Sequence, residues 1–340
     1  MHVTLQDVAR QAKVSAKTVS RVVNNQGEIS SVTRQRVQEA IAQLGYHPNF
    51  VARSLASQHS NTLAVVAAGL DFYGPAHTLT GVEQQSCELG YSLLFNLLAR
   101  PDETDVMPIL DSIIARRADG IIWAVPEIGA NRSWIQPDLL LHLPPVVFLS
   151  MGQDHSLSIV SVDNHSGGAQ AARHLIEQGR RKIGVITGPL TWWEARERLA
   201  GFTAVCQSAG VETSPSLVVE GDWTALSGRR CLAALLEQRP DLDGVFACND
   251  QMALGALGVA HQAGKRVPQD IAFVGFDNIP ESECFWPPLT TVRQRLLDAG
   301  CLSVKLLQKM IEARSKDQTD IAPEIQWLDT ELIVRESSFA

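Results

Sequence analysis

TLQDVARQAKVSAKTVSRVVNN, residues 4–25, reads as two short helices joined by a tight turn. Thr4 is placed to cap the first helix. Asp7 follows three residues later, in the first turn, where a carboxylate faces free N–H groups and the positive end of the helix dipole. Leu5, Val8, Ala9 and Ala12 then recur at helical spacing. Ser15 can cap the second helix, whose apolar face is Val19, Val22 and Val23. Its other face shows Ala16, Lys17, Ser20, Arg21 and Asn24. Ala9 is small where the two helices would cross, and Val19 is apolar where the second would pack back. A third helix is expected from Ser31, with a stripe of Val37, Ile41 and Leu44, ended by Gly45. Three short helices with so brief a first connection predict a helix-turn-helix unit.

An ordinary three-helix bundle has the same periodicity. The exposed face of the second helix separates the two readings. Arg21 can make a bidentate contact to guanine, Lys17 can reach N7 or O6, and Ser20 and Asn24 suit phosphate oxygens. Thr4 and Ala16 join the expected DNA-contacting set. Charge agrees. Residues 1–60 hold seven Lys and Arg against three Asp and Glu, a net +4, so the remaining 280 residues carry −12 of the total −8. An acidic body repels a phosphate backbone and leaves contact to the basic end.

Beyond the third helix, PNFVARSLAS, residues 48–57, has a capping Asn49 and good helix formers but spans only about two turns, too few to be stable alone. Such a segment can fold when it docks. Leu55 then forms an apolar wedge on a small-residue face with Ala52 and Ala56. A polar stretch, residues 57–62, follows.

The rest of the chain repeats one theme. Apolar, β-rich runs at 63–68, 92–97, 120–124 and 146–149 alternate with helical patterns. After residue 160 the series restarts at 183–187, 217–219, 244–248 and 271–276, with helices expected at 164–178 and 250–264. Continuous apolar strands alternating with helices imply parallel sheets covered on both faces, and two series imply two doubly wound lobes. Open α/β sheets place ligands at the carboxyl ends of their strands. The loops there carry Phe72 and Tyr73, Ser150, Trp192 to Arg198, Trp223, Asn249 and Asp250, and Asp277. Arg and Asp give charge-assisted hydrogen bonds to hydroxyls, Asn both donates and accepts, and an indole face covers the C–H face of a pyranose. For Trp192, Trp193 and Trp223 a place in the core is the competing reading, and two adjacent rings on one loop cannot easily both point inward.

Other classes are disfavoured. No run reaches the ~18 apolar residues of a membrane span, and the first residues lack the features of a secretory signal. The six cysteines form no CxxC pair and have no His at metal-ligand spacing, so reduced thiols and no metal or cofactor are expected. GxSxG, GxxxxGK[ST], HExxH and a strand-following GxGxxG are all absent. A sugar-active enzyme with a DNA-binding head is therefore a remote alternative, and no catalytic residue is expected.

The stretch 4–25 together with LGYHPNFVARSLAS, residues 44–57, resembles the head and hinge of the LacI/GalR family of bacterial repressors. The resemblance continues through GPLTWWEARERLAGF (188–202), EGDWTALSG (220–228), ACNDQMALGAL (247–257), VGFDN (274–278) and PPLTTVRQ (287–294). It implies a head at 1–47, a hinge at 48–60, and a two-lobed, periplasmic-binding-protein-like core at 61–340. The amino lobe is expected at 61–161 and 292–322, and the carboxyl lobe at 162–291 and 323–340. It also implies that the second helix lies in the major groove and that Leu55, with Ala52 beside it, opens a base step in the minor groove. Arg198, Trp223, Asn249, Asp277 and Gln294 fall on effector-binding positions, and Phe72, Tyr73, Glu194 and Leu296 on lining positions, with Trp192 and Ser150 completing the set. Lys13 stands where many relatives have Gly or Asn, which implies modest strain if the backbone is left-handed there. Ser150 replaces the acidic residue of the lactose-type repressor. The expected protein is a cytoplasmic, nucleoid-associated homodimeric repressor of operator DNA, controlled by a sugar. The chain shows no terminal leucine heptad of the kind that makes tetramers. A purine effector is the alternative, with Phe72 and Tyr73 sandwiching the base.

Overall fold

A computed structural model describes residues 3–23, 27–46, 60–316 and 322–339. The chain divides into two compact units, Met1–Asn61 and Thr62–Ala340. In the first, α1 (Leu5–Ala12), α2 (Ala16–Val23) and α3 (Ser31–Leu44) enclose Val8, Ala9, Ala12, Val19, Val22, Val37, Ala40 and Tyr46. Thr4 and Asp7 form a reciprocal capping box, the Asp7 carboxylate accepting from Thr4 N at 3.0 Å. Ser15 caps α2 by accepting from Thr18 N at 3.1 Å. The α3 cap is Ser30 rather than Ser31. Ser30 has extended ψ and its hydroxyl accepts from Thr33 N, so Ser31 is already the first helical residue. Lys13 ends α1 in the left-handed region, at φ 53°.

The second unit contains two six-stranded sheets. The first has the order β11-β5-β4-β3-β1-β2 and is parallel throughout. Its strands are β1 (Thr62–Ala67), β2 (Ser92–Leu97), β3 (Gly120–Ala124), β4 (Val146–Leu149), β5 (Ser158–Val162) and β11 (Ile325–Leu328). The second has the order β12-β10-β9-β8-β6-β7. It contains β6 (Ile183–Thr187), β7 (Val218–Glu220), β8 (Gly244–Ala247), β9 (Ala272–Asp277), β10 (Thr290–Arg293) and β12 (Glu331–Ile333), with only β12 antiparallel. Alternate residues feed opposite faces. Ile121 and Trp123 enter one core of the first sheet, and Ile122 and Ala124 the other.

The chain passes from the first sheet to the second at Asp163, returns between β10 and the helix beginning at Leu296, and crosses finally at 329–330. The last two crossings differ from the expected Thr291 and Ala322. β10 stays on the second sheet through Arg293, because its backbone completes a ladder with Asp277. Residues 325–328 pair in parallel with the edge of β5, Ile325 opposite Ile159, so they extend the amino lobe rather than begin the carboxyl one.

Helices on the sheets are α4 (Tyr73–Glu88), α5 (Met107–Ala115), α6 (Pro137–His142), α7 (Asn164–Glu177), α8 (Trp193–Ser208), α9 (Ala225–Gln238), α10 (Asp250–Gln262) and α11 (Leu296–Ser315). Six of them form three pairs, and each pair meets through reciprocal glycines. A Cβ on Gly168 of α7 would lie 2.0 Å from Arg198 O of α8, and one on Gly201 of α8 would lie 1.9 Å from His165 O. Gly228 and Gly255 do the same for α9 and α10, and Gly81 and Gly300 for α4 and α11. Without side chains at these crossings, backbone meets backbone.

Candidate functional site

The carboxyl ends of the parallel strands converge on one cleft of about 370 Å³ between the sheets, and all eleven of the expected effector-site residues line it. Phe72 and Tyr73 stand at the start of α4, Ser150 directly after β4, and Leu296 at the start of α11. From the carboxyl lobe come Trp192, Glu194 and Arg198 after β6, Trp223 after β7, Asn249 after β8, Asp277 at the end of β9 and Gln294 after β10.

Three of these residues have left-handed or neighbouring backbones without being glycine: Ser150 at φ 53°, Trp223 at 71° and Asp277 at 112°. Such conformations cost energy and persist where the surroundings impose them. At Trp223 the cause is visible. Its indole lies over Gly188, where a Cβ would come within 2.1 Å of the ring.

Arg198 organises the polar end. Its side chain is buried and its Nε donates to Asn164 Oδ1 at 2.8 Å. Its Nη1 donates to Cys248 O and lies 3.6 Å from Asp277 Oδ1. The guanidinium carbon sits 3.8 Å from the Phe276 ring centroid and 5.5 Å from that of Trp223. Gln294 Nε2 donates to the same Asp277 oxygen at 2.6 Å. Burial pushes the Asp277 carboxyl up to about 6, opposed by Arg198 and Gln294. Asn249 is committed to the frame. It caps α10 through Met252 N at 2.9 Å, and its amide donates to Trp223 O and Gln251 Oε1.

The aromatic residues take separate positions. Trp192 bridges Phe72 and Trp223, with edge contacts at 5.6 Å and 5.8 Å. Trp193 turns the other way, against Trp327 and the backbone at Gly152. Tyr73 stacks on His77 with centroids 3.9 Å apart. Arg196 does not line the cleft, and its Nη2 lies 3.7 Å from Glu127 Oε1.

Several lining residues lie outside the expected set, including Asn164, Thr224, Gln251 and Asp71. Asn164 follows β5, whose S-I-V-S-V sequence lacks the continuous apolar character of the other buried strands. Asp250, adjacent to Asn249, is a fully buried clamp. It accepts from Thr291 Oγ1 at 2.6 Å and from Ile279 N at 2.9 Å, and burial pushes it up to about 8.

In the first unit, Lys17 and Arg21 are exposed on α2, while Ala16 and Ser20 are half-buried beside them, and Thr4 is exposed at the α1 cap. Asn24, Ala52 and Leu55 lie outside the described residues.

Residues 4–49 match the family of bacterial regulatory proteins, lacI family, and residues 172–338 match a periplasmic binding protein-like domain. The chain is 33% identical over 337 residues to the HTH-type transcriptional repressor PurR of Pasteurella multocida, covering 98% of both chains. The chain belongs to the lacI family of bacterial regulatory proteins. Two solved structures are similar to this lacI-family chain along its length. A Lac repressor dimer bound to operator and the anti-inducer ONPF matches with a TM-score of 0.87 and 30% identity over the whole of both chains. A complex of the transcriptional regulator CelR with cellobiose matches with a TM-score of 0.72 and 32% identity, covering 99% of this chain and all of the other.

Proposed function

We propose that the small molecule controlling this repressor is a sugar, held between the lobes by Arg198, Asp277 and Gln294 with Trp192 and Trp223 beside it. The observation that carries this reading is the joining of a buried arginine–carboxylate–amide group to two indoles in one cleft. Such a site offers charge-assisted donors and acceptors for hydroxyls and flat apolar faces for ring C–H groups. The cleft lies near the lower end of the range for small-molecule sites, about 300–1,000 Å³.

The chain is a DNA-binding repressor that acts as a homodimer on operator DNA. Its relatives are transcriptional repressors, and on this reading the chain is no enzyme and works in the cytoplasm. Lys17 and Arg21 of α2 read base edges, and Thr4, Ala16, Ser20 and Asn24 fix the helix on the backbone. Residues 48–60 act as a hinge, with Leu55 and Ala52 as its DNA-contacting residues. Sugar in the cleft alters the relation of the lobes and so the pairing of two hinges. The coupling must be reciprocal, typically about 1–3 kcal/mol. Calorimetric titration of the full chain with glucose, ribose, lactose, cellobiose and hypoxanthine, paired with operator binding at saturation, tests the reading. A sugar that binds and shifts operator affinity is expected. Binding of hypoxanthine alone refutes it.

A further inference from the structure

Glu194 is singular among the charged residues of the cleft. Arg198 and Asp277 are committed to each other and to neighbours. The Glu194 carboxylate lines the same cavity, yet its Oε2 is enclosed and has no hydrogen-bond partner among the described residues. Behind it, on the loop after β3, stands Arg132. Its Nη2 donates to Val125 O, but its Nε and Nη1 are also enclosed and unpartnered. The two side chains act on each other electrostatically without forming an ion pair or hydrogen bond. They come from opposite lobes, Arg132 from the first sheet's loop and Glu194 from α8. The two loops are joined at this point, where Trp193 N donates to Glu127 O at 2.9 Å and Gly129 N to Thr191 O at 3.0 Å.

Oε2 is sealed off even with the cleft empty, so a ligand meets the carboxylate through its other oxygen, and a group that approaches a carboxylate oxygen favourably donates a hydrogen bond to it. A ligand carboxylate or phosphate has no proton to give at neutral pH and adds charge to a cleft whose cation, Arg198, already serves Asp277. We infer that Glu194, with the charge of Arg132 acting on it from the other lobe, is a specificity-determining acceptor that selects a neutral, hydroxyl-bearing sugar over acidic or phosphorylated ones. The inference rests on the sugar reading above and adds the charge class of the ligand. Burial pushes the Glu194 carboxyl up to about 7, while Arg198 on its own helix and Arg132 opposite lower it and Glu127 opposite raises it. An ionised acceptor is therefore increasingly available as pH rises through neutrality.

The test titrates the full chain calorimetrically with glucose, cellobiose, glucuronate, glucose 6-phosphate and hypoxanthine between pH 5.5 and 8.5. The wild-type chain should bind at least one neutral sugar, and glucuronate and glucose 6-phosphate at least about tenfold more weakly. Glu194→Gln keeps the shape and should weaken neutral-sugar binding by about ten- to hundredfold while narrowing the discrimination against glucuronate. Arg132→Met should move the rise of affinity with pH to higher pH, a shift that mere loss of packing does not produce. Binding of glucuronate as tight as glucose, or an unaltered Glu194→Gln variant, overturns the inference and leaves the sugar reading standing. An unmoved pH profile in Arg132→Met overturns the electrostatic role of Arg132. If the wild-type chain binds hypoxanthine and none of the sugars, both readings fall.

Discussion

Arg198→Leu should destabilise the core in a pH-dependent way. The guanidinium donates to Asn164 Oδ1 and Cys248 O, contacts Phe276, and lies 3.6 Å from the buried Asp277 carboxylate. Breaking a buried pair by removing one partner typically costs about 3–5 kcal/mol, because the other charge is left uncompensated. Asp277 has an escape, since it can take up a proton. Its folded value of about 6 lies above the ordinary 3.8, so it lowers stability as pH climbs from about 4 to 6 and costs nothing further above that. Without Arg198 the folded value rises further, and the window of declining stability extends upward. Each added pH unit in that window subtracts about 1.4 kcal/mol. At pH 5.5 Asp277 is mostly protonated in both proteins, and the cost reduces to lost hydrogen bonds and packing, about 2–3 kcal/mol. At pH 8, two units above the wild-type value, up to about 2.7 kcal/mol is added. Urea unfolding followed by tryptophan fluorescence at pH 5.5, 7 and 8 reads this directly. Adding Asp277→Asn should recover most of the alkaline loss. A cost that is the same at all three pH values, or that Asp277→Asn leaves untouched, refutes the reasoning.

Glu194, Asp250 and Asp277 all bind protons more tightly when folded, with values of about 7, 8 and 6. Core stability should therefore fall as pH rises from about 5 to 8, and Asp277→Asn combined with Glu194→Gln should flatten the slope in unfolding titrations. Gly201→Ala forces a Cβ to within 1.9 Å of His165 O and should lower the unfolding midpoint by the equivalent of about 1–3 kcal/mol or more, whereas Gly258→Ala, with open space around it, should not lower it. Arg21→Ala should weaken specific operator binding by about tenfold or more and relax one base position, while Lys17→Ala should also reduce the salt dependence if it contacts phosphate; gel-shift titrations over a salt series separate the two.

Much of the fold was legible because each buried parallel strand is a near-continuous apolar run between turn residues. Ile183–Thr187 and Gly120–Ala124 have that character and occupy the expected positions. The strands that escaped notice carry polar residues. β5 alternates Ser with Ile and Val, and β10 is Thr-Thr-Val-Arg, because its hydroxyls serve Asp250 and the carboxyl-terminal Ser338. β11 lies at a sheet edge with Ile325 and Gln326 only half-buried and Trp327 exposed, so it lacks the apolar run that marks the inner strands and the last crossing lies later than expected. The cleft was legible through the strand-end rule. What strand ends cannot convey is direction. Only the three-dimensional arrangement sets Trp192 on the cleft and buries Trp193 against Trp327, spends Asn249 on a helix cap, and brings the charge of Arg132 to bear on Glu194 from the other lobe.

The reciprocal glycines also bear on how such a protein can diversify. Arg198 lies on α8, whose main chain is seated on Gly168, and Leu296 opens α11, seated across Gly81 and Gly300. The framework is thus registered by main-chain contacts that no ligand-facing side chain enters. On the proposed reading, a change at Ser150, Trp192 or Glu194, which line the cleft, should alter what it accepts without disturbing those seats. The chain keeps its apparatus of assembly in one set of positions and its vocabulary of ligands in another, so new chemical signals can be wired to an old switch one side chain at a time.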